Sequence, residues 1–261
     1  HGDSGRRPQA LPSAAAVAAE PVEAVTNLAR YAGQPFFVRP SLSSNAPFAG
    51  QPVVLTFELY WSRTVRLHGI RETGSPRLQD VDVEKLTLDE AAERESVQLG
   101  GHPYMRQVTH RLLVTQPLAG KWRIDGPSYR IEAGDMFESR TVKVAAPPME
   151  VNVRPVPAAG RPAGFRDGQV GRLRMAGRLG DASTDGAVQN VKLGQRLLLV
   201  HEVEGEGNLL GVPDPVLTPQ AGMTVEVLPG KSDEGVKRTL SGTEGKRKWQ
   251  SVLSFSRPGR Y

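Results

Sequence analysis

Four groups of residues have types and spacing suited to chemistry. Asp181-Ala-Ser183-Thr-Asp185-Gly186 sets oxygen ligands at the first, third and fifth positions of a calcium loop, with glycine at the sixth. Such a loop closes on a bidentate glutamate at its twelfth position, and that position here is Lys192, a cation opposed to the ion. Asp181, Ser183 and Asp185 are thus a partial calcium candidate, and a polar hairpin is the plainer reading. Gly205-Glu-Gly207-Asn-Leu-Leu-Gly211 follows a strand pattern and has glycines resembling those of a dinucleotide loop. Its third glycine is displaced, and Pro213 and Pro215 forbid the helix whose N-terminus would hold a pyrophosphate. It reads as a glycine-rich turn. The histidines are His1, His68, His102, His110 and His201. His110 shares strand parity with Val108 and Leu112, and His201 with Leu199 and Val203, so both are expected to face inward as hydrogen-bonded core residues. No second histidine follows His201 by four residues, which excludes a zinc-protease pair.

Gly2-Asp3-Ser4-Gly5 looks like the nucleophile segment of a trypsin-like serine protease. A serine of that kind must be held rigidly against its base, and here only His1 precedes it, in a tail. Nothing marks two of the carboxylates as a paired acid and base. With no cysteine, disulfides, thiolate metal sites and thiol nucleophiles are excluded together. The expectation is a protein with no cofactor, no metal and no catalytic residue.

The elements that would position these residues are strands. Val53, Leu55, Phe57, Leu59 and Trp61 alternate with the more mixed Val54, Thr56, Glu58 and Tyr60, as in a half-buried strand. A second long strand is expected through Tyr104, Val108, Leu112 and Val114. Shorter ones fit 122–124, 129–131, 141–144 and 149–153, then 170–179, 197–203, 223–228 and 249–255. Residues 88–95 are the one helix candidate, as an insertion. The 28 Gly and 21 Pro are spread along the chain, as all-β turns require.

This pattern divides into a leader or linker over 1–35, a first β-sandwich over 36–153, a Pro/Gly linker over 154–164 and a second sandwich over 165–261. An internal repeat supports the division. Gly50-Gln51 precedes Val53-Val54-Leu55 and Glu58, and the same order recurs 144 residues later as Gly194-Gln195, Leu197-Leu198-Leu199 and Glu202. Pro117-Leu-Ala-Gly120-Lys-Trp122 has a counterpart in Pro258-Gly259-Arg-Tyr261. The first module continues to Val153 beyond that turn, so the second is expected to be truncated at its C-terminal edge. Net charge is +5, with basic residues scattered among acidic ones rather than in the stripe of a nucleic-acid binder. No run approaches the roughly 20 apolar residues of a membrane span, and no signal peptide opens the chain, which suits a trimmed ectodomain.

Several segments together resemble one family. Pro47 through Tyr60 is similar to the first core strand of the BatD family of oxygen-tolerance (aerotolerance) proteins. Pro103-Tyr104 through Leu112, then Pro117 and Gly120-Lys-Trp-Arg-Ile124, resembles that family's following passage. Val151 through Pro157, with Phe165 and Val170-Gly171, is similar to its inter-domain junction. Val203-Glu-Gly205-Glu-Gly207-Asn208-Leu209 resembles its Gly-x-Gly-Asn-Leu signature, and Ser256 through Tyr261 its closing turn. On this resemblance Gly50, Gln51, Tyr104, Pro117, Gly120, Gly205, Gly207, Asn208 and Leu209 are structural or interaction positions.

The resemblance implies tandem immunoglobulin-like domains on the periplasmic side of a bacterial inner membrane, with an anchor outside this chain. It also implies a non-catalytic role beside von Willebrand factor A-domain membrane proteins and, indirectly, a MoxR-type AAA+ ATPase. The helix candidate and the Ala/Pro-rich leader have no counterpart in that pattern. The competing expectation is a carbohydrate- or cell-surface-binding sandwich, aided by calcium at 181–186, with Trp61, Trp122 and Trp249 as stacking platforms. A hydrolase would need a cleft with converging polar groups that no local spacing announces.

Overall fold

The computed structural model describes residues 18–88, 94–134, 138–161, 165, 168–181, 184–187, 191–230, 232–233, 235–239 and 242–260. Alternating apolar residues drive strands along nearly the whole chain, and the fold is all-β, of sandwich type. It opens with β1 (Glu20–Pro21), α1 (Val22–Thr26) and a 3-10 turn (Leu28–Tyr31). Next come β2 (Phe36–Leu42), β3 (Pro52–Ser62), β4 (Arg66–Gly74), β5 (Arg77–Leu78) and β6 (Asp82–Lys85). β7 (Arg94–Leu99), β8 (His102–Thr115), β9 (Gly120–Asp125), β10 (Ser128–Gly134), β11 (Ser139–Ala145) and β12 (Met149–Val153) follow. The remaining strands are β13 (Gly171–Asp181), β14 (Thr184–Ala187), β15 (Leu197–Gly207), β16 (Met223–Val227), β17 (Gly235–Thr239) and β18 (Gly242–Phe255). The helix expected over 88–95 lies largely outside the described residues, and its last two positions, Arg94 and Glu95, begin β7 instead.

In the first unit β2-β3-β8-β6 form one sheet, with β7 on the other half of β8. Sheets β1-β12-β9-β5 and β11-β10-β4 supply the other side of the core. Leu55, Phe57 and Leu59 of β3 meet Ile124 of β9, Ile131 of β10 and Met149 and Val151 of β12 there, all almost fully buried. The mixed face of β3 is covered too, by residues 20–31, so this part of the expected leader packs on the first unit, while residues 1–17 lie outside the described residues. Tyr31 stacks on Phe37 and Phe37 on Tyr60, each at 4.5 Å between ring centroids, and Tyr104 packs edge-on to Phe37. Val22 and Val25 of α1 reach the main core. One helical turn with two valines is too short to register as a periodic pattern, so composition alone suggested a linker there. Replacing Val25, which is 0% exposed, by alanine is expected to cost about 2 kcal/mol in a urea titration. A change within error would make the segment a loose strap.

The second unit repeats the first sheet. Its order is β14-β13-β15-β18-β16, with β17 on the other half of β18. β15 pairs with β18 as β3 pairs with β8: Leu197↔Leu253, Leu199↔Ser251 and His201↔Trp249 match Val53↔Val114, Leu55↔Leu112 and Phe57↔His110. The Gly-Gln turns repeat in atomic detail. Gly50 and Gly194 take φ of 79° and 77°, a region that favours glycine. Gln51 Oε1 accepts from the Phe48 N–H and Gln195 Oε1 from the Lys192 N–H, both at 3.0 Å. Among the described residues no second sheet faces this one. Leu209 and Val212 cover part of its apolar side against Val203 and Val236, while Met175 and Val227 stand 73% and 70% exposed. Among the described residues no helix is long and apolar enough to cross a membrane.

Candidate functional site

The glycine signature ends at a clasp between the two units. Gly205 and Gly207 take φ of 142° and 122°. A Cβ on them would lie 2.0 Å from the Arg172 carbonyl oxygen and 2.4 Å from Gly171 Cα, so β13 and β15 approach this closely only without side chains. The bend delivers Asn208 to the junction. Its Nδ2 donates to the Gly50 carbonyl at 3.0 Å and to the Gly168 carbonyl at 2.7 Å. Its Oδ1 accepts from the Gly211 N–H at 2.9 Å, and its own N–H donates to the Val170 carbonyl at 2.8 Å. Gly50 in turn donates its N–H to the Gln116 carbonyl at 2.8 Å, beside Pro117 and the β8–β9 turn that leads to Gly120. Leu209 is fully buried next to this clasp.

Gly50, Gln51, Pro117, Gly205, Gly207, Asn208 and Leu209 therefore gather around one joint, although 158 positions separate Gly50 from Asn208. An Arg238–Glu84 ion pair between β17 and β6 spans the same joint, beside a cleft of about 330 Å³. Gly168, which the sequence did not single out, completes it: a Cβ on Gly50 would stand 2.2 Å from Gly168 Cα. Tyr104 lies elsewhere. Its hydroxyl accepts from the Gly33 N–H and donates to the Gln34 carbonyl, both at 3.0 Å, fastening the N-terminal segment to β8.

The first unit holds a second polar cluster, made by a β-bulge. Phe57 pairs with His110 but Glu58 pairs with Val108, so Thr109 is an extra residue in β8. The bulge undoes the shared parity of His110 and Val108. His110 turns toward the main core, edge-on to Phe57 at 6.2 Å, while Val108 shares the face of Glu58. His110 Nε2 lies 3.6 Å from Glu72 Oε1, and its Nδ1 lies 3.4 Å from both the Tyr129 hydroxyl and Thr109 Oγ1. A cleft of about 510 Å³ opens beside it, bordered by His68, Arg94 and Gln107.

Burial lowers the His110 pKa against the opposing pull of Glu72, and burial pushes the Tyr129 phenol up to about 12. At neutral pH the cluster is a neutral imidazole beside a protonated phenol, suited to binding a polar group. Because the unfolded state takes up a proton more readily at position 110, stability is complete above the ordinary histidine pKa of 6.5 and falls as pH drops below it. Urea midpoints at neutral pH and about pH 5 should differ more in the native chain than in His110→Gln. Equal differences would contradict this.

The other expected site residues stay apart. Asp181 ends β13 and pairs with Thr184 of β14, which also contains Asp185, so they belong to a hairpin; Ser183 lies outside the described residues. Gly2-Asp3-Ser4-Gly5 and His1 lie outside them as well. His68 and His102 are exposed. His201 faces Trp249 across the sheet, and its Nδ1 is buried without a partner. Trp61 and Trp122 are core residues, and Trp249 donates its indole N–H to Asp214 at 2.6 Å, so none of the three is an open platform. Among the described residues no three potential ligands gather around a metal position. No protein-family model matches the chain, and no curated protein matches it.

Proposed function

We propose that this chain is a non-catalytic scaffold, built of tandem immunoglobulin-like modules, that holds other proteins together on the periplasmic side of a bacterial inner membrane. The observation that carries the reading is the Asn208 clasp, which binds the carbonyls of Gly50 and Gly168 and so ties the first unit to the second. A clasped pair of sheets presents fixed surfaces at a fixed separation, which is what a scaffold requires.

The resemblance of Gly205 through Leu209, and of the strands before them, to the BatD family supports the choice of partners. These are von Willebrand factor A-domain membrane proteins and, through them, a MoxR-type AAA+ ATPase, in a complex serving oxygen or envelope-stress tolerance. The test is a pull-down of the membrane-anchored protein from envelope extracts. Recovery of an A-domain membrane protein is the expected result, and its absence ends the proposal.

A further inference from the structure

The geometry points to the outer edge of β13 as a docking site for an extended strand whose side chains alternate between acidic and apolar. This inference rests on the scaffold reading and names the kind of segment the scaffold takes. β13 pairs with β15 along its whole length, from Gly171↔Gly207 to Asp181↔Leu197. On its other side only Gly180 and Asp181 are paired, with β14. Among the described residues, 171–179 thus present an open row of backbone donors and acceptors, and every one of them except Leu173 is exposed. Its counterpart in the first unit, β2, has α1 and β11 packed beside it. The second unit leaves uncovered an edge that the first protects, and such an edge is a template for an added strand.

The side chains on this edge say what would fit. Arg172, Arg174 and Arg178 share one face, and Leu173, Met175 and Leu179 share the other. Arg172 and Arg178 lie 3.7 and 3.8 Å from Glu206 and Glu202 of β15, yet stay 90% and 69% exposed, so both keep donors open to a second carboxylate. The inner neighbour shows the complementary pattern. β15 sets Glu206 opposite Arg172, Glu204 opposite Arg174 and Glu202 opposite Ala176, with Val203 opposite Met175 and Leu199 opposite Leu179 on the other face. An outer strand of the same chemistry would meet the same arginine row from the other side. A second copy of β13 would not: centred antiparallel pairing about Met175 places Arg172 opposite Arg178 of the other copy, and facing like charges destabilise. The arginines therefore oppose self-pairing and select an acidic strand at once.

The test uses the chain with labelled peptides of about ten residues, one alternating Glu and Val and one alternating Lys and Val. The acidic peptide is expected to bind at least about tenfold tighter, and the preference should shrink as salt rises toward about 0.5 M. In the native chain it should protect amides within Gly171–Leu179 from hydrogen exchange. Arg174→Glu should weaken the acidic peptide and favour the basic one. Equal binding of the two peptides, no binding, or protection confined to other strands would overturn the inference, and the exchange readout needs no variant to fold. A chain that recovers an A-domain protein but shows no protection of β13 overturns the edge inference alone. Failure of the pull-down with protection intact overturns only the proposed partners.

Discussion

Glu58→Ala is expected to destabilise the first unit by about 3 kcal/mol, the largest single loss among its polar residues. Glu58 is 4% exposed, on the face of β3 that the N-terminal segment covers. Its Oε2 accepts from Arg39 Nη1 at 2.9 Å and from the Tyr60 hydroxyl at 3.1 Å, and its Oε1 accepts from Arg106 Nε at 2.9 Å. Arg39 also donates through Nε to the Thr26 carbonyl at 2.8 Å, and Arg106 reaches Glu95. The carboxylate thus joins β2, β3 and β8. Without it, two guanidiniums whose side chains are 21% and 23% exposed face each other with no buried counter-charge.

Burial alone would depress the Arg106 pKa, but the hydrogen bonds of Glu58 and Glu95 outweigh it and hold the pKa above the ordinary guanidinium value. Burial, helped by the same anion, pushes the Tyr60 phenol up to about 12. Urea unfolding measures the loss. A Glu58→Leu, Arg39→Met, Arg106→Met triple variant should recover much of it, since apolar residues of similar size can replace a buried ion cluster. A single-variant loss under about 1 kcal/mol would show the cluster to be solvated.

Gly50→Ala is expected to be nearly as costly, and its signature differs. A side chain at φ of 79° costs about 1–2 kcal/mol in backbone strain. The new methyl would also lie 2.2 Å from Gly168 Cα, so the junction must open before alanine fits. With the overpacking term, roughly 3 kcal/mol is lost from the joint. Asn208→Ala removes the two bonds from the other side but adds no clash, so it should loosen the joint by less. Small-angle scattering should report a larger radius of gyration, and proteolysis should quicken between 155 and 170, with both sheets retained by circular dichroism. If Gly50→Ala unfolds the sheets themselves, or leaves scattering and proteolysis unchanged, the clasp is not what joins the units.

Much of the local architecture was legible in the residues. The alternation of Val53 through Trp61 defines a strand because a two-residue period admits one buried face, and those five side chains are core. The Gly-Gln repeat was legible for a similar reason. A positive φ at Gly50 and Gly194 and a bond from Gln51 or Gln195 to the residue three before it are satisfied within four positions of chain. The gap in the calcium motif is legible in the same local way, since such a loop needs its closing glutamate at a set distance in sequence and Lys192 stands there.

Tertiary structure decided the rest, wherever the partner of a residue is remote. The segment at 20–31 looked like linker because its two valines and Tyr31 gain burial only from the sheet they cover. No local rule places an extra residue at Thr109, so the faces of His110 and Val108 were set by the pairing of β8 with β3. Gly168 matters because Gly50 approaches it, and the arginines of β13 matter because nothing among the described residues pairs with its outer edge. Periodicity and turn chemistry act over a few residues and can be read in order along the chain. Which surfaces end up covered depends on how distant segments meet.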